Sequence, residues 1–174
     1  MERSIALTGF MTAGKSSIGP QLAMRLGLAF TDLDEMLVQD EAASIGELFE
    51  RYGEAGFRER ESGLLRAVLD GPVCVLSTGG GIIHSEDNRR RLARASTVVW
   101  LDLRFETVRV RLREAGGGTR PLIRQLGPEG LRDLHYRRRP LYASCADLRI
   151  DADRAAPGRL ARHIAAHLQR DASL

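Results

Sequence analysis

Gly9-Phe10-Met11-Thr12-Ala13-Gly14-Lys15-Ser16 fits the pattern G-x-x-x-x-G-K-[ST], in which the backbone amides of a glycine loop cradle phosphates at the start of a helix. This segment constrains the fold because it works only between a strand and a helix. Both flanks are present: the short apolar run Ser4-Ile5-Ala6-Leu7 precedes it, and Ile18, Leu22 and Leu26 follow at helical spacing. Gly9 and Gly14 allow backbone geometry that side chains would block, so successive N–H groups can converge on an anion at a helix N-terminus. Lys15 is the one lysine among 26 basic residues, so arginine is the cation everywhere else. This position calls for a compact, flexible ammonium that can follow a phosphate oxygen, which a planar guanidinium cannot do. Ser16 is the expected Mg²⁺ ligand through its hydroxyl.

A chain of 174 residues with 43% hydrophobic content can bury one core and is short for two, so a single domain spanning 1–174 is expected. The net charge is only +3, and aromatic residues, at 5%, do not alternate with arginines as base-stacking platforms would. A small anionic ligand is favoured over nucleic acid. Cys74 and Cys145 lack metal-ligand spacing and give little reason to expect a disulfide, which fits a reducing compartment. The N-terminus carries no apolar signal segment distinct from the first strand, and no stretch approaches the length of a membrane helix. The expectation is a soluble cytoplasmic protein with no membrane partner.

Along the chain, Gly27 is placed to end the first helix, and Leu28-Ala29-Phe30 reads as a strand closing in Thr31-Asp32-Leu33-Asp34. Ser44-Ile45-Gly46-Glu47 has capping-box spacing, with a longer helix from about Glu54 to Leu69. Val73-Cys74-Val75-Leu76 is a strand that ends abruptly in Ser77-Thr78-Gly79-Gly80-Gly81. A helix over Ser85 to Arg94, a buried strand over Thr97 to Leu101 and a helix over Phe105 to Glu114 follow. Gly127-Pro128 opens a helical stretch reaching Tyr142, Leu148-Arg149-Ile150 is a final strand, and Pro157 precedes a last helix. Strands alternating with helices imply a parallel sheet wrapped on both faces, an α/β fold in three αβα layers with five strands.

Phosphoryl transfer asks for a metal carboxylate, which in such folds commonly ends an apolar strand. Two residues qualify, Asp32 and Asp102, and the strand-then-Asp pattern favours Asp102 slightly. Asp32 and Asp34 lie two apart where a strand ends, so one could position metal-bound water and the other accept a hydroxyl proton; an Asx turn with a helix cap has the same spacing. Arg58 and Glu61 are three apart on a helix, where the carboxylate can orient the guanidinium toward a ligand carboxylate, although a surface salt bridge is equally compatible. Gly79-Gly80-Gly81 after a buried strand implies close approach of the backbone to a ligand or a neighbouring helix. Arg113 and Arg120 bracket Gly116-Gly117-Gly118 as a flap with cations at both ends, suited to close over a nucleotide. Of Arg137, Arg138 and Arg139, spacing does not say which turns inward.

The ordered set Gly-Phe-Met-x-x-Gly-Lys-Ser at 9 to 16, Asp-x-Asp at 32 to 34, Phe-Arg-x-x-Glu at 57 to 61, Gly-Gly-Gly at 79 to 81, Arg-Pro-Leu at 120 to 122 and Arg-x-Pro-Leu-Tyr at 138 to 142 resembles the shikimate kinase family over nearly the whole chain. The resemblance implies a P-loop NTPase fold of the nucleoside-monophosphate-kinase-like kind, with a mobile lid at about 113–126 and substrate-binding helices at about 34–62. It implies transfer of the γ-phosphoryl group of MgATP to the 3-hydroxyl of shikimate, by a monomer that takes these two small molecules as partners. Thr12, Ala13, Gly14, Lys15, Ser16 and Ser17 would surround the phosphates. Ser16 would ligate Mg²⁺ and Asp32 would hold it through water, which decides between the two aspartates in favour of Asp32. Asp34 would contact the ring hydroxyls of shikimate and serve as the base. Arg58 and Arg138 would clamp the substrate carboxylate, with Gly79, Gly80 and Gly81 shaping the pocket. Arg120 would be the lid arginine, and Arg113 and Arg154 would lie toward the adenine. A gluconate-kinase-like enzyme and a non-catalytic nucleotide-binding module are the alternatives.

Overall fold

A computed structural model describes residues 2–115, 121–153 and 155–171. The chain runs β1 (Ser4–Thr8), α1 (Lys15–Leu26), β2 (Ala29–Asp32), α2 (Leu33–Glu41), α3 (Ile45–Leu69), β3 (Cys74–Ser77), a 3-10 turn (Ile82–His84), α4 (Glu86–Ala95), β4 (Ser96–Asp102), α5 (Phe105–Glu114), α6 (Pro121–Ala143), β5 (Leu148–Asp151) and α7 (Pro157–Asp171). The five strands are all parallel, in the order β2-β3-β1-β4-β5. β1 lies at the centre because every one of its residues is buried and it can serve a neighbour on each side. Parallel strands need crossover connections, and the helices that supply them cover both faces of the sheet in three αβα layers. The strand tips β1, β2 and β3 therefore open at one edge, where folds of this kind bind ligands.

Local signals place most boundaries. Ser44 caps α3 in a reciprocal capping box with Glu47, and Gly27 ends α1 in the left-handed conformation. Two long helices are each interrupted at a glycine, Gly53 in α3 and Gly127 in α6, with φ 65° and 60° and ψ near 180°. That region of backbone space is open essentially to glycine alone. Gly127-Pro128, expected to open the sixth helix, instead breaks one that begins six residues earlier at Pro121. Proline suits a first helical position, so both local signals were real, and the helix uses them as a start and a kink.

The main core joins β1, β3 and β4 to α1, α5 and α7. A separate small core, Leu37, Ala43, Leu48 and Phe57, ties α2 to α3. This second core holds the helices of residues 34–62 in place beside the open edge. Cys74 and Cys145 are free and buried. Among the described residues no helix is long and apolar enough to cross a membrane.

Candidate active site

The loop between β1 and α1 is held by a turn from Ala13 N to Phe10 O (3.1 Å) and by Gly14 O, which accepts from Ile18 N at 2.8 Å. Gly9 takes φ 144°, and a β-carbon there would stand 2.6 Å from Leu101 O, so no side chain fits. Lys15 lies across its own loop, donating from Nζ to Gly9 O (3.0 Å) and Phe10 O (3.4 Å). A cavity of about 430 Å³ adjoins the loop. Thr12, Ala13, Gly14 and Ser17 line this cavity on one side, and Arg111 and Pro157 line it too.

Arg111 was not singled out by sequence reasoning, which took Arg113. In the structure Arg111 donates from Nη1 to Thr12 O (3.0 Å) and from Nη2 to Ala152 O (2.7 Å), joining the phosphate loop to the end of β5. Arg113 is exposed in the last turn of α5. Nothing in the alternation of arginines along α5 distinguishes the two; only the packing does. Arg154 and residues 116–120 of the expected lid, with Gly116-Gly117-Gly118 and Arg120, lie outside the described residues.

The two aspartates weighed as metal carboxylates have different partners. Ser16 Oγ donates to Asp32 Oδ2 at 2.7 Å, and Asp32 Oδ1 accepts from Asp34 N at 3.0 Å, so Asp32 is both the cap of α2 and a neighbour of the phosphate loop. The Asx turn and helix cap expected at Asp32-x-Asp34 are therefore present. Asp102 is committed elsewhere: its Oδ2 accepts from Arg139 (2.8 Å) and Arg149 (2.6 Å). It faces a separate cavity of about 540 Å³, bordered by Arg104 and Asp153, which are paired with each other.

Three elements converge on the glycine turn after β3. Arg58 Nη1 donates to Glu61 Oε2 at 2.7 Å, and Glu61 is 2% exposed. The pair is therefore no surface salt bridge. Burial pushes the Glu61 acid above the ordinary carboxylate range, against the attraction of Arg58. The Arg58 guanidinium also lies 5.2 Å from the Phe57 ring. A β-carbon on Gly81 would collide with that guanidinium, and one on Gly79 would collide with Glu61 Oε1 and stand 3.0 Å from Asp34 Oδ1. The glycines are needed because two side chains of α3 and one of α2 press against the turn.

Of the three consecutive arginines in α6, Arg138 turns inward. It is 5% exposed, lies 5.7 Å from the Phe10 ring of the phosphate loop, and has Nη1 3.7 Å from where a Gly80 β-carbon would be. Its neighbour Arg139 serves Asp102 instead, and Arg137 is exposed. Burial, and then the nearby Arg58 charge, lower the proton affinity of Arg138. No ion pair among the described residues includes it. Tyr142 hydrogen-bonds Gly80 O at 2.7 Å and stacks on Trp100, fixing the floor of the turn; sequence reasoning gave it no role of its own.

The arrangement thus offers a glycine loop before a helix, two hydrogen-bonded side-chain oxygens beside it and, beyond them, an acid beside two guanidinium groups. Comparison with known proteins points to one family. A family model described as shikimate kinase matches residues 11–169. A shikimate kinase from Ruegeria pomeroyi is 43% identical over 156 residues, covering 88% of this chain and 77% of the relative. One from Chromohalobacter salexigens is 42% identical over 168 residues, covering 96% and 92%. Among solved structures, a shikimate kinase from Acinetobacter baumannii in complex with shikimate superposes with a TM-score of 0.90 at 35% identity, covering 97% of this chain and 94% of that one.

Proposed function

This chain belongs to the shikimate kinase family, and from that premise we propose how its residues divide the work of moving a phosphoryl group from ATP to shikimate. It is an ATP-dependent kinase that gives shikimate 3-phosphate and ADP, in the pathway to aromatic amino acids. The gluconate-kinase-like and non-catalytic readings are thereby set aside.

The observation that carries the division is Arg138, a buried guanidinium with no carboxylate partner among the described residues, set against the same glycine turn as Arg58. A buried cation is costly without an anion. The substrate carboxylate supplies that anion, and a pair of planar forks from α3 and α6 fixes its orientation. Asp34, beside Gly79, then meets the ring hydroxyls and orients the 3-hydroxyl for attack. The hydroxyl oxygen forms a bond to the γ-phosphorus as the bond from that phosphorus to the β,γ-bridging oxygen breaks, and the hydroxyl proton passes to the Asp34 carboxylate. Lys15 and the amides of residues 12–17 hold the phosphates, and Arg120 adds positive charge to the transferring group.

Ser16 Oγ and Asp32 Oδ2, 2.7 Å apart at the mouth of the phosphate loop, are hard oxygen donors of the kind Mg²⁺ takes alongside water and phosphate oxygens. When bound there, Mg²⁺ supplies charge neutralisation on the phosphates. The single-domain layout, with a lid over about 113–126, belongs to the same reading. So do a monomeric working unit and a cytoplasmic location, the latter in keeping with two free thiols. ADP release measured with shikimate and with its methyl ester tests the reading. Turnover with the acid and a KM raised by at least about tenfold for the ester are expected; equal use of both would remove the carboxylate clamp.

A further inference from the structure

His84 closes the 3-10 turn that follows Gly81, and its Nε2 lies 3.0 Å from Nε of Arg138. A guanidinium nitrogen can only donate, so His84 Nε2 is the acceptor and the ring carries its proton on Nδ1. The groups facing the ring favour that neutral form. Partial burial comes first, then the charges of Arg138, Arg58 and Arg137, with Glu54 alone opposing; together they hold the imidazole below its usual value. The backbone that carries the ring is also fixed, because Arg89 Nη1 donates to Ile83 O (2.6 Å) and His84 O (3.1 Å).

A guanidinium can present a carboxylate with either of two forks, one using Nε and one using both Nη atoms. His84 occupies Nε. The fork left is the Nη pair, and Nη1 is the atom in van der Waals reach of Gly80. We propose that His84 is a positioning residue for the substrate clamp: by accepting from Arg138 Nε it fixes the plane of the guanidinium and directs its Nη edge at the carboxylate of shikimate. This inference rests on the reading of Arg138 as a clamp residue. It follows that the long side chain is ordered before substrate arrives, so less freedom is lost on binding. His84 acts on binding of the acid and leaves the phosphoryl step and the nucleotide untouched.

Steady-state kinetics of the full chain test this with H84L, which has the bulk but no acceptor, and H84Q, whose amide oxygen can accept from Nε. His84 is exposed, so both variants are expected to fold, and their melting temperatures check it. H84L should raise the shikimate KM about tenfold, the effect of one hydrogen bond, with kcat and the ATP KM within about twofold. H84Q should restore most of the loss. Equal KM values for H84L, H84Q and the parent protein, or an equal rise in both variants, would overturn the proposal. R138K separates the two levels: if it raises the shikimate KM while H84L does not, the clamp stands and only the role of His84 falls. If neither changes KM, both fall.

Discussion

Arg58 Nη1 and Glu61 Oε2 meet at 2.7 Å with the carboxylate almost wholly enclosed, at 2% exposure. A buried acid of this kind is stable only while its partner stays in place. It therefore serves as a fixed wall that aims Arg58 at the glycine turn, one helical turn above the small core that anchors α3. The pair links packing to recognition: Phe57 is core, Arg58 touches the site, and Glu61 holds the angle between them.

Replacing Arg58 with lysine keeps the charge and removes the planar fork. The shikimate KM should rise about 10- to 100-fold, the loss of a charge-assisted hydrogen bond, while the ATP KM changes little. Initial-rate kinetics at saturating ATP measure it. A shikimate KM within twofold of the parent would take Arg58 out of the clamp.

S16A removes one hard oxygen ligand from the mouth of the phosphate loop and one donor from Asp32. The Mg²⁺ concentration giving half-maximal activity should increase about tenfold or more, with the shikimate KM unchanged at saturating metal. A metal titration that superposes on that of the parent would show that Ser16 serves only to hold Asp32.

D34N keeps the shape of the side chain and loses its basicity. Nucleotide affinity by titration calorimetry should stay the same, and kcat should fall about 10²- to 10⁴-fold. Because a loose transition state asks little of a base, a kcat within a few-fold of the parent would reassign Asp34 to orienting the ring hydroxyls.

What the sequence made legible was local. The phosphate loop, the capping box at Ser44 and Glu47, and the glycine end of α1 are each decided within a few residues, and each stands where its pattern put it. The site around Gly79 to Gly81 was legible as a close approach, but not the identity of what approaches. Arg58, Glu61 and Asp34 reach that turn from two other helices, and such contacts leave no trace in spacing. The same holds for Arg138 among its neighbours: Arg139 is drawn to Asp102, which the strand pattern favoured for a metal and which accepts from Arg149 as well. His84 and Arg111 gave no signal because each acts on a residue more than fifty positions away or on a distant backbone carbonyl.

His135 carries a pH dependence of stability. It is 2% exposed, its Nε2 lies 2.9 Å from Leu103 O, and its ring packs edge-on to Phe10 of the phosphate loop. Burial holds its proton affinity below the usual value, with Arg139 adding to the effect. The unfolded chain takes up this proton near pH 6.5, and the folded protein only at lower pH. Stability from this group is therefore complete above about pH 6.5, falls as pH drops below it, and levels off under the folded pKa. Melting curves from pH 8 to 5 should show a steeper acid-side loss in the parent protein than in H135F; equal slopes would show that His135 titrates alike in both states.

The central claim is that the carboxylate of shikimate bridges guanidinium groups from α3 and α6 above the glycine turn. A crystal structure of this protein with ADP and shikimate measures it directly. The account predicts carboxylate oxygens within hydrogen-bond distance of both Arg58 and Arg138, with the 3-hydroxyl toward Asp34 and the phosphate loop. A carboxylate turned away from either arginine, or a ring bound with its 3-hydroxyl facing α6, would contradict it.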